Sequence, residues 1–272
     1  MKRVRRLAVF ALLLALGYAG YVLFGLPPRA NVRALAKKNP EATGVMQQRA
    51  EEAAQAKHKP PRREQVFVPL SRISRNLIHA VVIAEDPKFF GHDGVDWDAI
   101  RESVERDLRE RRLARGGSTI TQQLAKNVFF TTGKSFTRKL REIIVARWLE
   151  ADLSKRRILE LYLNVIEWGD GVYGCEAAAR RYYGKAAADV DEVEAAGLAG
   201  MIPSPRRINP RVNPARFARA QKRVLWLMSH AGYVKRDVGQ LGAEPPESDD
   251  DSDPEPDGPA AAPTRAGPPP SV

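Results

Sequence analysis

"AEDPKFFGHDG", residues 84–94, places two adjacent acids, a proline, two phenylalanines, a histidine and two glycines in eleven positions. It follows the apolar run Ala80-Val81-Val82-Ile83-Ala84. A carboxylate at the end of such a run is costly unless it is partnered or used. Pro87 and Gly91 impose a fixed turn, and Phe89 and Phe90 supply low-dielectric walls. Walls of that kind raise a carboxylate's pKa toward neutrality, which suits a general base, so Glu85 is a candidate base. The plain alternative is a helix-end acid exposed to water. Asp86 is suited to ordering the loop through backbone N–H groups. His92 is suited to a hydrogen bond within the turn, with ligand or proton carrier as its other reading.

Three further segments carry patterned polar groups. In "GGSTITQQLAKN" (116–127), Thr119 and Gln122 have capping-box spacing, and Gly116-Gly117 supply a turn. A helix N-terminus behind such a turn is also an anion site. Gln122 and Lys126 project an amide and an ammonium from one face, with Gln123 beside them. In "RKLRE" (138–142), Arg138 and Lys139 stand four and three residues before Glu142, a spacing that surface salt bridges alone would explain. "KRRILELYLN" (155–164) reads as an amphipathic helix capped by Ser154, with Ile158, Leu159, Tyr162 and Leu163 in the core. Two separated acids, Glu85 and Glu142, accompanied by cations suited to phosphate, hint at chemistry on a sugar.

The remainder of the chain sets the surroundings. Residues 7–26 contain no charge, and Lys2, Arg3, Arg5 and Arg6 precede them. Twenty helical residues rise about 30 Å, the thickness of a hydrocarbon core. A cleaved signal peptide is the rival; it calls for a shorter apolar core and a small-x-small site, whereas this run ends "FGLPPRA". The basic flank predicts a cytoplasmic N-terminus with the rest of the chain outside. Net charge is +11, but eight acids lie between Glu244 and Asp257; residues 1–243 alone hold 43 basic and 25 acidic residues, net +18. A body this basic predicts an anionic partner, and the orientation favours lipid or a phosphorylated substrate over nucleic acid. Cys175 is the single cysteine, and the four histidines (58, 79, 92 and 230) are scattered, which argues against a disulfide framework and against zinc.

The expected organisation is a basic segment over 1–6, an anchor over 7–26, a polar stalk and start of the jaw lobe over 27–63 with partial helix around 44–57, a helical catalytic domain over 64–238 and a disordered acidic Pro-rich tail over 239–272. Within the domain, "EQVFVPL" (64–70) reads as one short strand. Helices are expected over 73–86 with Ser71 as the candidate start, over 96–112 with Trp97, Ile100, Val104 and Leu108 on one face, and through "STITQQLAKNVFF", "SFTRKLREIIVARWLEADL" and "SKRRILELYLNVIEW". "GDGVYG" reads as a turn, and 175–183 as a helix stopped by Gly184. "VDEVEAAGLAGMI" is expected to be helical, followed by an extended crossing imposed by four prolines over 203–214 and a last amphipathic helix ending before Gly232.

Taken together, these segments resemble the peptidoglycan glycosyltransferases, and among them the monofunctional biosynthetic transglycosylases. The family's first motif, E-D-x-x-F-x-x-H-x-G, is matched by Glu85, Asp86, Phe89, His92 and Gly94. G-x-S-T-I/L-T-Q-Q is matched by Gly116 to Gln123, R-K-x-x-E by Arg138 to Glu142, and K-x-x-I-L-E-x-Y-L-N by Lys155 to Asn164. "LAGMIPSPRRINP" (198–210) resembles the fifth motif more loosely, and the likeness extends over roughly 30–235.

The resemblance implies a mainly α, lysozyme-like, two-lobed glycosyltransferase domain with a membrane-facing jaw lobe, behind an N-terminal transmembrane helix at the bacterial inner membrane. It implies lipid II as substrate and the growing glycan strand as product, made by inverting transfer with release of undecaprenyl pyrophosphate. Glu85 would be the base, and Glu142 would help hold the donor with Lys126, Arg138 and Lys139. Asp86, Phe89, His92, Ser118, Thr119, Gln122, Gln123 and Asn127 complete the implied substrate-binding set. A divalent cation, magnesium or manganese, is an optional companion of the pyrophosphate. Membrane lipids, and cell-wall synthases or division proteins, are the implied partners. The two carboxyls are expected to stand at least as far apart as the roughly 6.5–9.5 Å of an inverting hydrolase. No S-x-x-K is present, so no cross-linking activity is expected. A glycan hydrolase or lytic transglycosylase, which needs no pyrophosphate cluster, and a non-catalytic cell-wall scaffold are the alternatives.

Overall fold

The structure, a computed structural model, describes residues 1–57, 62–110, 117–133 and 135–234. Gly116, the end of the helix expected over 96–112, His58 and the acidic tail lie outside the described residues. Helix α1 (Lys2–Phe24) carries the uncharged run, and Val22 is its buried residue. Its leucines, Phe10, Tyr18 and Tyr21 stand exposed. Among the described residues it is the one helix long and apolar enough to cross a membrane.

The segment expected to be a stalk holds two short helices packed on the body. These are α2 (Arg29–Ala34), which lies on the later α7 (Phe136–Asp152), and α3 (Gly44–Gln55), which lies on α6 (Ile120–Phe129). Val32, Leu35, Val45 and Met46 are buried there. Thr43 caps α3 by accepting from Met46 N–H. Strand β1 (Glu64–Gln65) follows.

The body is mainly helical. It comprises α4 (Arg75–Glu85), α5 (Trp97–Glu110), α6 (Ile120–Phe129), α7 (Phe136–Asp152), α8 (Lys155–Val165), strands β2 (Glu167–Gly169) and β3 (Val172–Tyr173), α9 (Cys175–Tyr183), α10 (Glu192–Met201) and α11 (Pro214–His230). Six of these helices begin where a short polar side chain accepts a backbone N–H: Ser74, Thr119, Ser135, Ser154, Asp191 and Asn213. The apolar α10 is buried between α4 and α11. Gly200 permits that contact, since a Cβ there would stand 3.0 Å from the Ala220 carbonyl carbon. The second grouping packs α6 against α7 and α8.

Four local expectations are corrected. The strand expected over 64–70 pairs only at Glu64 and Gln65, parallel to β3. Beyond it the backbone is held by α8 side chains: Val68 N–H donates to Asn164 Oδ1 (2.8 Å), and Leu70 N–H donates to a Glu160 carboxylate oxygen (2.8 Å). The third expected helix stops at Val165, and Glu167–Gly169 pairs antiparallel with β3, inside the expected turn. Its apolar residues continue the helical pattern and disguise the change, while a fully buried Trp168 fixes the strand.

The proline-rich crossing over 203–214 is a chain of hydrogen-bonded turns, with Ser204, Arg207 and Ile208 N–H groups all bonded to carbonyls three or four residues back. In α5, Trp97 is 62% exposed rather than on a buried face.

Candidate active site

Glu85 is the last residue of α4, and the chain leaves the helix at Asp86, whose N–H still bonds to Val82 O. Glu85 is half-buried as a residue, but protein crowds its carboxylate, and that desolvation raises its pKa above the ordinary 4.5. Gln123 opposes the shift by donating from Nε2 to Glu85 Oε2 at 2.6 Å; the positive charges of Lys126 and Arg223 also oppose it. Tyr162, fully buried on α8, donates its hydroxyl to Gln123 Oε1 at 2.9 Å. The buried tyrosine thus sets the amide so that its NH₂ end meets the carboxylate.

The turn after Glu85 is stapled internally. Asp86, 4% exposed, accepts from His92 Nε2 (3.0 and 3.1 Å to its two oxygens) and from Ile120 N–H (3.0 Å). Gly94 N–H donates to His92 Nδ1 at 3.1 Å, so the ring proton sits on Nε2, facing Asp86. Thr119 Oγ1 donates to Gly94 O (2.7 Å) and accepts from Gln122 N–H (3.2 Å). The anion expected at the α6 N-terminus is therefore the chain's own Asp86. Phe89 is fully buried, with Lys155 Nζ 4.5 Å from its ring centre, whereas Phe90 turns outward. Asn127 is spent on Gln123 O, 2.8 Å away.

The cations gather on α6 and α7. Glu142, 3% exposed, binds Arg138 through Oε1 and Lys139 through Oε2, the latter at 3.5 Å. Burial distinguishes these from the surface pairs that the spacing alone would allow. Lys139 Nζ also donates to Ser118 Oγ (2.8 Å) and to Gln122 Oε1 (2.9 Å). Gln122 therefore turns to Lys139, and Thr119 alone caps the helix. Lys126 senses both Glu142 and Glu85, and no direct ion pair forms to either among the described residues. Desolvation lowers the pKa of Lys126 and of Lys139 below 10.5. Lys126 thus lies electrostatically between the two carboxylates, an ammonium uncommitted to a single partner.

No cluster of three or more His, Cys, Asp or Glu side chains suited to a metal occurs among the described residues. Both Glu142 oxygens are engaged by Arg138 and Lys139. Among the described residues, then, Glu142 offers no free oxygen to a protein-held cation.

Two contributors escaped sequence reasoning. Tyr162 reads as core and is core, but its hydroxyl serves the Gln123–Glu85 pair; the available signal was that a buried tyrosine needs a partner. Arg223 lies on α11 among other basic residues, and nothing local marks it as the one whose charge reaches Glu85. The remaining α8 motif residues hold the scaffold: Lys155 Nζ donates to Glu150 Oε1 (2.8 Å), which also accepts from Thr121 Oγ1 (2.5 Å).

The site thus joins a semi-desolvated carboxylate positioned by an amide to a partly buried cluster of cations around Glu142, on a helical body behind an apolar helix. A family model described as Transglycosylase matches residues 50–229. The chain is 47% identical over 184 residues to a biosynthetic peptidoglycan transglycosylase of Aromatoleum aromaticum, spanning 68% of this chain and 80% of that protein. It is 43% identical over 199 residues to one from Herminiimonas arsenicoxydans (71% and 83% covered) and 46% identical over 191 residues to one from an Azoarcus species (69% and 82%). The chain belongs to the transglycosylase family.

Proposed function

We propose that this protein polymerises lipid II into linear glycan strands, releasing undecaprenyl pyrophosphate. The relatives bear the name of biosynthetic peptidoglycan transglycosylases, which supports glycan-strand synthesis as the reaction. The observation that carries the finer reading is the geometry around Glu85: a carboxylate with raised proton affinity, held by Gln123 at 2.6 Å and adjoining the field of Lys126.

Glu85 accepts the proton of the acceptor sugar hydroxyl as that oxygen forms its bond to C1 of the donor. The C1–O bond to the lipid pyrophosphate breaks with inversion, and the pyrophosphate leaves with the bonding pair. Lys126, Arg138 and Lys139 offset the charge that develops on it, in a site dry enough for fixed charges to count. Glu142 orients Arg138 and Lys139. Gln123 holds the base, and the Asp86–His92–Thr119 staple fixes the turn that presents it. Ser118 and Gln122 hold Lys139 toward the donor.

Helix α1 serves as the membrane anchor, with its basic end in the cytoplasm and the domain on the outer face of the inner membrane, where a lipid-linked donor is available. The protein makes strands and does not cross-link them. A hydrolase would leave the cation cluster without a task. Incubating the full chain with labelled lipid II tests this reading. The expected product is long, lysozyme-sensitive, uncross-linked strands; absence of polymer from folded protein, or shortening of preformed glycan, contradicts it.

A further inference from the structure

Helix α7 has two occupied faces. Arg138, Glu142, Val145 and Leu149 belong to the candidate site and the core. Thr137, Arg141, Trp148 and Asp152, spaced by four, seven and four residues, form a second stripe. Everything on that stripe grips the N-terminal segment. Tyr18 and Thr137 share a hydrogen bond of 3.1 Å between their hydroxyls. Arg29 Nε donates to Asp152 Oδ2 at 3.1 Å and its guanidinium lies 5.1 Å from the Trp148 ring centre. Between them sits Arg141, whose Nε donates to Val22 O (3.0 Å) and whose Nη2 donates to Tyr21 O (2.6 Å).

Those two acceptors belong to the last turn of α1, where carbonyls have no intrahelical partner. The last turn of α1 contains no basic residue of its own. Arg141 supplies the missing cation at the negative end of the helix dipole, from another element. Its guanidinium also lies 5.0 Å from the Tyr21 ring centre. Gly25 makes room for it: a Cβ there would fall 2.0 Å from Arg141 Cζ.

We propose that Arg141 is a positioning residue that locks the anchor to the helix carrying Arg138, Lys139 and Glu142, and so sets the depth of the site relative to the bilayer. The proposal rests on the function proposed above. A donor held in a bilayer presents its pyrophosphate at a fixed height, and a misplacement of about 1 Å costs up to ~100-fold in rate. Arg141 itself need not touch the substrate.

The test uses the full chain, wild type beside Arg141→Ala, Gly25→Ala and the double variant. Each is assayed with labelled lipid II in proteoliposomes and in detergent micelles, where no fixed height is imposed. Gly25→Ala displaces the guanidinium without altering α7. In proteoliposomes each single variant is expected to lose roughly ten- to a hundredfold in kcat/KM, against about threefold or less in micelles. The double variant is expected to fall no further than the worse single. Equal losses in both settings, no loss in either, or additive losses overturn the proposal. If the wild type makes no polymer at all, the function fails instead, and hydrogen exchange in nanodiscs still reads the clasp. Amides of residues 23–26 are then expected to be protected in the wild type and to exchange faster in Arg141→Ala; identical exchange overturns it.

Discussion

Tyr162 donates its hydroxyl to Gln123 Oε1 at 2.9 Å, and this contact decides which end of the Gln123 amide faces Glu85. With the hydroxyl present, Nε2 is left to donate to the carboxylate. Tyr162→Phe removes the constraint and leaves a buried acceptor unpaired. It is expected to lower kcat about tenfold with KM little changed, and to cost about 1–3 kcal/mol of stability. Because the Gln123 bond holds the Glu85 pKa down, the acid limb of the pH–rate profile should move to higher pH. Steady-state kinetics across pH check both; an unmoved limb removes Tyr162 from the base-positioning chain.

Glu85 is also expected to trade stability for function. Burial raises its folded pKa above the unfolded value, so its protonated form favours folding, and that contribution is lost as pH rises through the folded pKa. At neutral pH the charged form is therefore a cost, which Glu85→Gln removes while the glutamine oxygen still accepts from Gln123. Relief of about 1 kcal/mol would raise the melting midpoint by roughly 2–4 °C. Calorimetry at neutral pH reads this, and the gain over wild type should shrink as the pH is lowered through the Glu85 transition.

The pH–rate profile should be narrower than free side chains would give. Activity requires Glu85 charged and Lys126 and Lys139 protonated. Desolvation moves the acid limb above 4.5 and the alkaline limb below 10.5. A profile with both limbs at the unshifted values would remove these groups from the essential set.

Asp86 is expected to act through structure. It accepts from His92 and from the α6 N-terminus while buried, so Asp86→Ala strands both donors. A loss of about 2–4 kcal/mol is expected, seen as a lower urea midpoint at unchanged slope. A variant as stable as wild type, yet inactive, would instead place Asp86 on the substrate.

How far the sequence could be read depended on how local the cause was. Helix starts were legible at Thr119 and Ser154 because caps and apolar spacing are local, whereas the start expected at Ser71 falls three residues later, at Ser74. The strand at Glu167–Gly169 was not, because Val165, Ile166 and Trp168 continue the helical apolar pattern and only tertiary burial separates them. The turns over 203–214 were missed because proline restricts φ without specifying where the chain goes next. At the candidate site, the motif residues were visible but their roles were not. Asp86, His92 and Thr119 look like ligand groups until their hydrogen bonds are traced, Asp86 to His92 and Thr119 to Gly94 O and Gln122 N–H. Tyr162 and Arg223 act across elements distant in sequence, where no spacing rule reaches.

Whether Glu85 is the base of a lipid-linked glycosyl transfer is read from single-turnover reaction of labelled lipid II with Glu85→Gln beside wild type, with lipid II binding measured on both. Binding within a few-fold is expected, with bond formation slowed by at least about 10³-fold, the upper part of the range for a general base. Strand formation by the folded variant at the wild-type rate would contradict that role.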